Sequence, residues 1–374
     1  MKKCIIIPDS FKGTMSSVEV CEIMKKAVLD NYPQCEVITV PVADGGEGTV
    51  DCFLYALRDG RKVIANVNGP YMKEIQSFYG IAGDTAIIET AAAAGIMLTE
   101  KNPDPSATST FGAGQLLLDA LDKGCNKIII GLGGSGTNDA GAGMAAALGT
   151  RFYNKYGETF IPVGANLGEV VRIDNTEAIE MLKGIQITAM CDVDNPLFGK
   201  NGAAYVFAPQ KGADPAMVEL LDNNLRRFSD TIKDSLNIDV SGLKGGGAAG
   251  GMGAGLYAFL GARLMRGIDT VLSLVEYDRL LDGCDCVFTG EGKLDKQSFG
   301  GKVVIEIGKR ASLKNVPVIA VVGSKEKDTD DVYNFGIKYV VTTAVPGQSF
   351  ESIKNKCRED LYSSINNFIK KLNL

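Results

Sequence analysis

Acidic and cationic side chains stand repeatedly just past short apolar runs and beside glycines, a combination suited to handling phosphate. Asp192 and Asp194 follow Ile185-Gln-Ile-Thr-Ala-Met190 and are candidates for holding Mg²⁺ or touching a phosphoryl group in transfer. Asp9, Ser10 and Lys12 follow Lys3-Cys-Ile-Ile-Ile7. Either the lysine aims a cation at an anionic ligand, or the cluster is a solvated turn. In Asp44-Gly-Gly-Glu-Gly48, the pair Gly45 and Gly46 permits a tight turn with Asp44 and Glu47 facing one point. That arrangement suits hydroxyl groups or Mg²⁺, and equally two acids that favour a helix start. Glu291, Lys293 and Asp295 repeat the mixture of acid and cation after a strand expected to end at Thr289.

Two glycine-rich stretches lie between these clusters. In residues 131–143, Gly133, Gly134 and Gly136 let the backbone approach an anion, while Ser135, Thr137 and Asn138 add side-chain donors. The stretch also contains a G-x-G-x-x-G match at Gly131, Gly133 and Gly136, the pattern of a nicotinamide dinucleotide site. Its context argues otherwise. Roughly twenty residues on, where a ribose-binding acid belongs, stands Arg151-Phe-Tyr-Asn-Lys-Tyr156, and Asp139 would put negative charge beside the pyrophosphate. In residues 245–255, Gly250, Gly251 and Gly253 suit either a nucleotide cover or close helix packing.

The elements that must position these groups alternate in type. Strand 3–7 precedes a helix opened by Ser16 and Glu19, a capping box. Strand 36–40 leads through the Asp44 loop into a helix over 49–57. Two successive strand-loop-helix units predict a parallel sheet, and ligands collect beyond the carboxyl ends of such strands. Strand 127–130 and the alanine-rich helix 144–148 flank the first glycine stretch. After strand 286–289 the pattern predicts a helix over 303–311, strands over 316–322 and 338–341, and a long helix over 352–372. Asn66-Val-Asn-Gly-Pro70 is the best candidate for a first crossing between domains.

Composition sets the limits. A chain of 374 residues, 45% hydrophobic and 22% charged, fits two domains better than one. Its 39 basic and 45 acidic residues give −6 and are scattered, so no nucleic-acid footprint exists. No stretch approaches the roughly 18 apolar residues of a membrane span, and a strand begins almost at once, so no membrane association and a cytoplasmic location are expected. Nine cysteines sit mostly in apolar stretches and read as reduced core residues; the single close pair, Cys284 and Cys286, makes no zinc site. With no histidine in the chain, any general base must be Asp, Glu, Lys, Cys, Tyr or water. The sequence allows a homo-oligomer.

The chain lacks G-x-x-x-x-G-K-[ST], and without histidine it lacks the catalytic loop of protein kinases. Taken in order, Pro8-Asp-Ser-Phe-Lys12, Pro41-Val-Ala-Asp-Gly-Gly-Glu-Gly-Thr49, Gly131-Leu-Gly-Gly-Ser-Gly-Thr-Asn-Asp139, Cys191-Asp-Val-Asp-Asn-Pro196, Pro209-Gln-Lys-Gly212, Gly247-Ala-Ala-Gly-Gly-Met-Gly253 and Thr289-Gly-Glu-Gly292 resemble the type 1 glycerate kinases of bacteria. The likeness covers nearly the whole chain. It implies ATP, Mg²⁺ and D-glycerate as ligands, with 2-phosphoglycerate favoured over 3-phosphoglycerate as product. It also implies an α/β fold of two α/β domains with a cleft between them. One would be flavodoxin-like with a parallel sheet, built from residues 1–70 and 285–374, and the other an inserted α/β domain, 71–284. One departure stands out: family members carry Ser-Ile-His-Gly-Lys or similar where this chain has Ser298-Phe-Gly-Gly-Lys302, so a catalytic histidine there cannot apply.

On that resemblance, carboxylate-held Mg²⁺ would neutralise the phosphates while glycine-loop N–H groups cradle them. Asp192, with Glu47 and Glu291 behind it, would take or orient the hydroxyl proton. Lys12, Lys211 or Lys293 would face the substrate carboxylate or the transferring group. An NAD-dependent hydroxy-acid dehydrogenase and a non-catalytic sugar-acid or nucleotide sensor are the alternatives, separable by an NADH absorbance test and by ADP release.

Overall fold

The computed structural model describes residues 1–57, 59–99, 101, 103–301, 303–344 and 350–372. Its strands are β1 (Lys3–Pro8), β2 (Glu36–Thr39), β3 (Arg61–Asn68), β4 (Glu74–Ala82), β5 (Thr85–Glu89), β6 (Lys127–Gly131), β7 (Arg151–Tyr153), β8 (Thr159–Phe160), β9 (Arg172–Asp174), β10 (Gln186–Met190), β11 (Arg263–Met265), β12 (Cys286–Leu294), β13 (Val318–Lys325) and β14 (Ile337–Thr342). The chain divides into two compact units.

One unit comprises Met1–Ala43, Tyr55–Arg58 and Ile268–Leu374. Its five strands are all parallel in the order β2-β1-β12-β13-β14. Counted within the unit this is 2-1-3-4-5, the flavodoxin-like order. Strands covered on both faces must be apolar throughout, and Ile5, Ile6, Ile7, Val287, Phe288 and the run Val318 to Val322 are all buried. The expected capping box forms at the helix Ser17–Asn31: Ser16 N donates to Glu19 Oε2 at 2.9 Å, and Glu19 N to Ser16 Oγ at 3.2 Å. That helix presents Val20, Met24 and Val28 to the same core as Leu361, Ile365 and Ile369 of the helix Phe350–Leu372.

One expectation fails in this unit. The strand expected to end at Thr289 continues to Leu294, so Glu291 and Lys293 belong to the strand and not to a loop beyond it. Pairing with β13 carries it on: Glu291 stands opposite Val322, Lys293 opposite Ser324 and Leu294 opposite Lys325. Ladder hydrogen bonds outweigh the turn preference of Gly290 and Gly292.

The other unit comprises Asp44–Leu54 and Asp59–Gly267. Its main sheet runs β11-β10-β6-β5-β4-β3, parallel from β11 to β5 and antiparallel at β4 and β3. A small antiparallel sheet, β8-β7-β9, stands apart from it. The Asn66–Pro70 stretch is no crossing between units. It ends β3 and enters a tight turn to β4, closed by Gly69 N donating to Lys73 O at 2.7 Å. Likewise 268–284 belongs with the flavodoxin-like unit.

Phe152, Phe228 and Phe259 are buried together with ring centroids 5.6–6.0 Å apart, joining the small sheet to the helices Pro215–Leu236 and Ala248–Leu260. Removing one ring leaves a cavity as well as losing the buried area. Phe259→Ala should therefore cost about 3–5 kcal/mol, read as a lowered urea midpoint for the unit that contains it.

Candidate active site

Within the unit of Asp44–Leu54 and Asp59–Gly267 a cavity of ≈ 390 Å³ lies past the carboxyl ends of β6 and β10, the edge where a parallel sheet gathers ligands. Asp44, Gly133, Gly134, Ser135, Asp192 and Lys211 line part of it. Three clusters separated by some 90 and 60 residues in sequence thus meet at one place, because β10 pairs with β6 and brings Met190 beside Gly131.

The Asp44 loop is locked to the first glycine stretch backbone to backbone. Gly133 N donates to Gly45 O at 2.8 Å. A Cβ on Gly131 would lie 2.4 Å from that same oxygen, and one on Gly133 would lie 2.6 Å from Gly46 Cα. Gly45 itself has φ +84°, where a side chain is strained. Asp44 Oδ1 then accepts from Gly46 N at 3.0 Å, fixing the turn. Glu47 is exposed, near Gly134. Below the loop, Glu89 is a residue that sequence reasoning passed over. It is buried at the end of β5 and accepts from Val50 N at 2.7 Å, which ties down the helix Thr49–Ala56. Burial pushes its carboxyl pKa up, and the Val50 hydrogen bond opposes that. An acid closing the apolar run Thr85 to Ile88 was the available signal.

The glycines of the dinucleotide-like match have other uses. Gly131 and Gly133 admit the Asp44 loop. A Cβ on Gly136 would lie 2.9 Å from Thr99 Cγ2, and Gly136 N donates to Ala94 O at 2.8 Å. Of this stretch, Leu132, Gly133, Gly134 and Ser135 form the cavity wall. Gly250 and Gly253 are also packed against protein: added Cβ atoms would lie 2.0 Å from Thr137 O and 2.1 Å from Gly245 O. Gly251 is buried beside Ala140, and the cavity wall here is made by Ala248 and Ala249. Thr137 and Asn138 are wholly buried.

Asp139 is fully buried. Its Oδ2 accepts from Thr110 N at 2.7 Å, Thr110 Oγ1 at 2.8 Å and Gly143 N at 3.2 Å, and its Oδ1 from Gly141 N at 3.1 Å. Burial raises its pKa, and these donors pull it back. The carboxylate expected beside a pyrophosphate instead turns inward, to its own loop and to Thr110.

Lys211 is 2% exposed, donating to Ser135 Oγ at 3.0 Å and to Thr137 O at 2.7 Å. Burial lowers its pKa to about 7, opposed by the charge of Asp139. Asp192 is exposed and accepts from Gly267 N at 2.8 Å; Asp194 is exposed and outside the cavity lining.

The remaining candidates lie in the flavodoxin-like unit. Asp9 and Glu291 are neighbours there, since Pro8 pairs with Gly290 and Asp9 N donates to Gly290 O at 2.9 Å. A Cβ on Gly292 would lie 3.3 Å from Lys12 N, so the loop of Asp9, Ser10 and Lys12 packs on the end of β12. Glu291 is 5% exposed, whereas Lys12 is exposed. Lys293 spends its charge in a surface pair with Glu326 at 2.5 Å. Asp295 Oδ1 accepts from Ser298 N at 3.2 Å. Lys302 lies outside the described residues.

Residues 4–373 match the model of a single family. The chain belongs to the glycerate kinase family. It is 42% identical over 368 residues to a Bacillus cereus glycerate kinase, covering 98% of this chain and 96% of that one. It is 43% identical to the Escherichia coli glycerate 2-kinase, covering 90% and 89%. A crystal structure from Salmonella typhimurium LT2, of a protein assigned as a glycerate kinase 2, is 40% identical and superposes with a TM-score of 0.88, covering 100% of this chain and 98% of that one. The chain is thus an enzyme of the glycerate kinase family, and its fold is that of a solved relative.

Asp139 needs two acceptor oxygens, and an asparagine would set an NH₂ group against N–H donors. Asp139→Asn should therefore destabilise by about 3 kcal/mol, the cost of buried donors left unpaired, measured as a drop in thermal midpoint. A Gly133→Ala chain should lose turnover more than stability, because the added methyl displaces the Asp44 loop. Unchanged kinetics in that variant would show that the loop contact is dispensable.

Proposed function

We propose that this chain transfers the γ-phosphoryl group of ATP, with Mg²⁺, to a hydroxyl of D-glycerate, giving 2-phosphoglycerate. The cavity carries the reading: two carboxylates, a buried lysine and glycine-loop backbone line one space at a sheet edge. The names borne by the relatives supply the acceptor.

Phosphoryl transfer asks a protein mainly to position groups and balance charge. Asp192 is the proposed acceptor of the hydroxyl proton, with Glu47 and Glu291 as substitutes. The segment Asp44 to Glu47 is the proposed contact for glycerate, Asp9 and Ser10 are separate candidates in the flavodoxin-like unit, and Gly133, Gly134 and Ser135, with Ala248 and Ala249 in the same wall, are the proposed contacts for the nucleotide. Lys12 stays a candidate cation, while Lys293 is engaged with Glu326. Among the described residues no group of three His, Cys, Asp or Glu gathers to cage a metal. Mg²⁺ is commonly held by one or two carboxylates together with phosphates and water, so Asp44 and Asp192 fit as its protein donors; Asp194 and Asp295 are the further candidates. Bound there, the ion would offset phosphate charge. The dehydrogenase alternative loses its motif, since its three glycines pack against protein.

ADP release should require D-glycerate and fail with L-glycerate, lactate or no acceptor, and NMR of the product should show phosphate on the 2-position. Absence of turnover by folded protein would favour a binding sensor. Asp192→Ala should lower kcat at least about 100-fold if it handles the proton; near-normal kcat removes it from that role.

A further inference from the structure

Lys211 closes the short turn Pro209–Lys211. Its ammonium carries three donors, and the protein supplies two acceptors, Ser135 Oγ and Thr137 O. The side chain is nearly sealed from solvent and still forms part of the cavity wall. A buried charge is tolerable when paired, and otherwise the group gives up its proton. Asp139 is the charged group that supports the proton on Lys211, but both its oxygens are committed to Thr110, Gly141 and Gly143. Asp44, Cys191 and Asp192 also line the cavity. The two acids are exposed, and burial pushes the Cys191 thiol up, so it is neutral. Among the described residues no carboxylate is ion-paired with Lys211.

We propose that Lys211 is the cavity's receptor for a ligand oxyanion, a carboxylate or a phosphoryl oxygen, and that this ligand is bound together with one proton. In the ligand-free site the amine is held between Ser135 and Thr137. An arriving oxyanion supplies the missing counter-charge and the third acceptor, and the amine takes a proton from solvent to become the ammonium that binds it. Burial of the amine, which brings its pKa to about 7, sets the coupling near neutral pH. The inference rests on the kinase reading for its ligands: the carboxylate would be that of D-glycerate, the phosphoryl oxygen that of ATP.

Calorimetric titration at pH 7.5 in two buffers of different ionisation enthalpy measures protons bound per ligand. D-glycerate alone and ATP alone are the two probes. Proton uptake by the wild type that is missing in Lys211→Arg, whose guanidinium stays charged, supports the proposal and names the source of the oxyanion. Lys211→Met should bind the same probe at least about tenfold more weakly, as a charge-assisted bond is lost. Wild-type affinity for that probe should weaken as pH rises above 7, approaching about tenfold per unit, because the free site then holds the neutral amine. The wild-type pH series does not depend on either variant folding. Equal proton uptake in wild type and Lys211→Arg with both probes overturns the proposal, as does an affinity independent of pH from 6.5 to 8.5. If turnover with D-glycerate persists under either result, the kinase reading stands and this inference falls. Absence of turnover with intact Lys211-linked binding does the reverse, and failure of both probes to bind overturns both.

Discussion

A carboxylate sealed in protein keeps its charge only if donors replace the water it lost, and Asp139 has four of them. The geometry of the cavity follows from that. Thr110 opens the helix Phe111–Asp122, so the hydrogen bonds fasten the end of the first glycine stretch to a neighbouring helix start. Thr110 Oγ1 in turn accepts from Met144 N at 2.9 Å and holds the helix Ala142–Ala147. With residue 139 fixed, Thr137 O is placed to receive Lys211, and Ala140 N reaches Gly250 O at 3.1 Å. A single buried anion therefore sets the position of a loop, a lysine and the second glycine stretch.

Close backbone contact is the second constraint, and it explains why so much glycine is spent here. Where two chain segments touch through their backbones, the Cβ volume is already occupied. That is the situation of Gly131 and Gly133 against the Asp44 loop, and of Gly250 against Thr137. Glycine-rich sequence beside a ligand site invites the thought that the backbone approaches the ligand. In this chain most of those glycines let the protein approach itself, and only Gly133, Gly134 and their neighbours then remain at the cavity wall.

The alternation of strands and helices was readable because parallel strands buried on both faces must be apolar runs, and because Ser16 and Glu19 spell a cap whose chemistry is local. The meeting of Asp44, Gly133 and Asp192 was partly readable, since each follows a strand. The roles of Asp139 and Glu89 were not. A carboxylate's local sequence does not tell whether it points to solvent or to buried N–H groups, which come here from Thr110 and Val50, about 30 and 40 residues away. The extent of β12 was hidden for a similar reason, since Gly290 and Gly292 read as a turn until β13 lies alongside. The lysines looked alike in sequence; burial sets Lys211 apart from the solvent-facing Lys12 and Lys293.

The discontinuity of the flavodoxin-like unit bears on how the chain is made. β1 and β2 are synthesised before the inserted unit, yet the strand that completes the other side of β1 is β12, placed opposite Cys4 by Cys286. At about 5–20 residues per second, tens of seconds separate the two on the ribosome. Throughout that interval β1 presents an apolar open edge, while nearly the whole of the other unit is translated without interruption. The unit begun earlier is thus the later to close: the inserted unit can mature first, and the flavodoxin-like unit is completed only once β12 has been made.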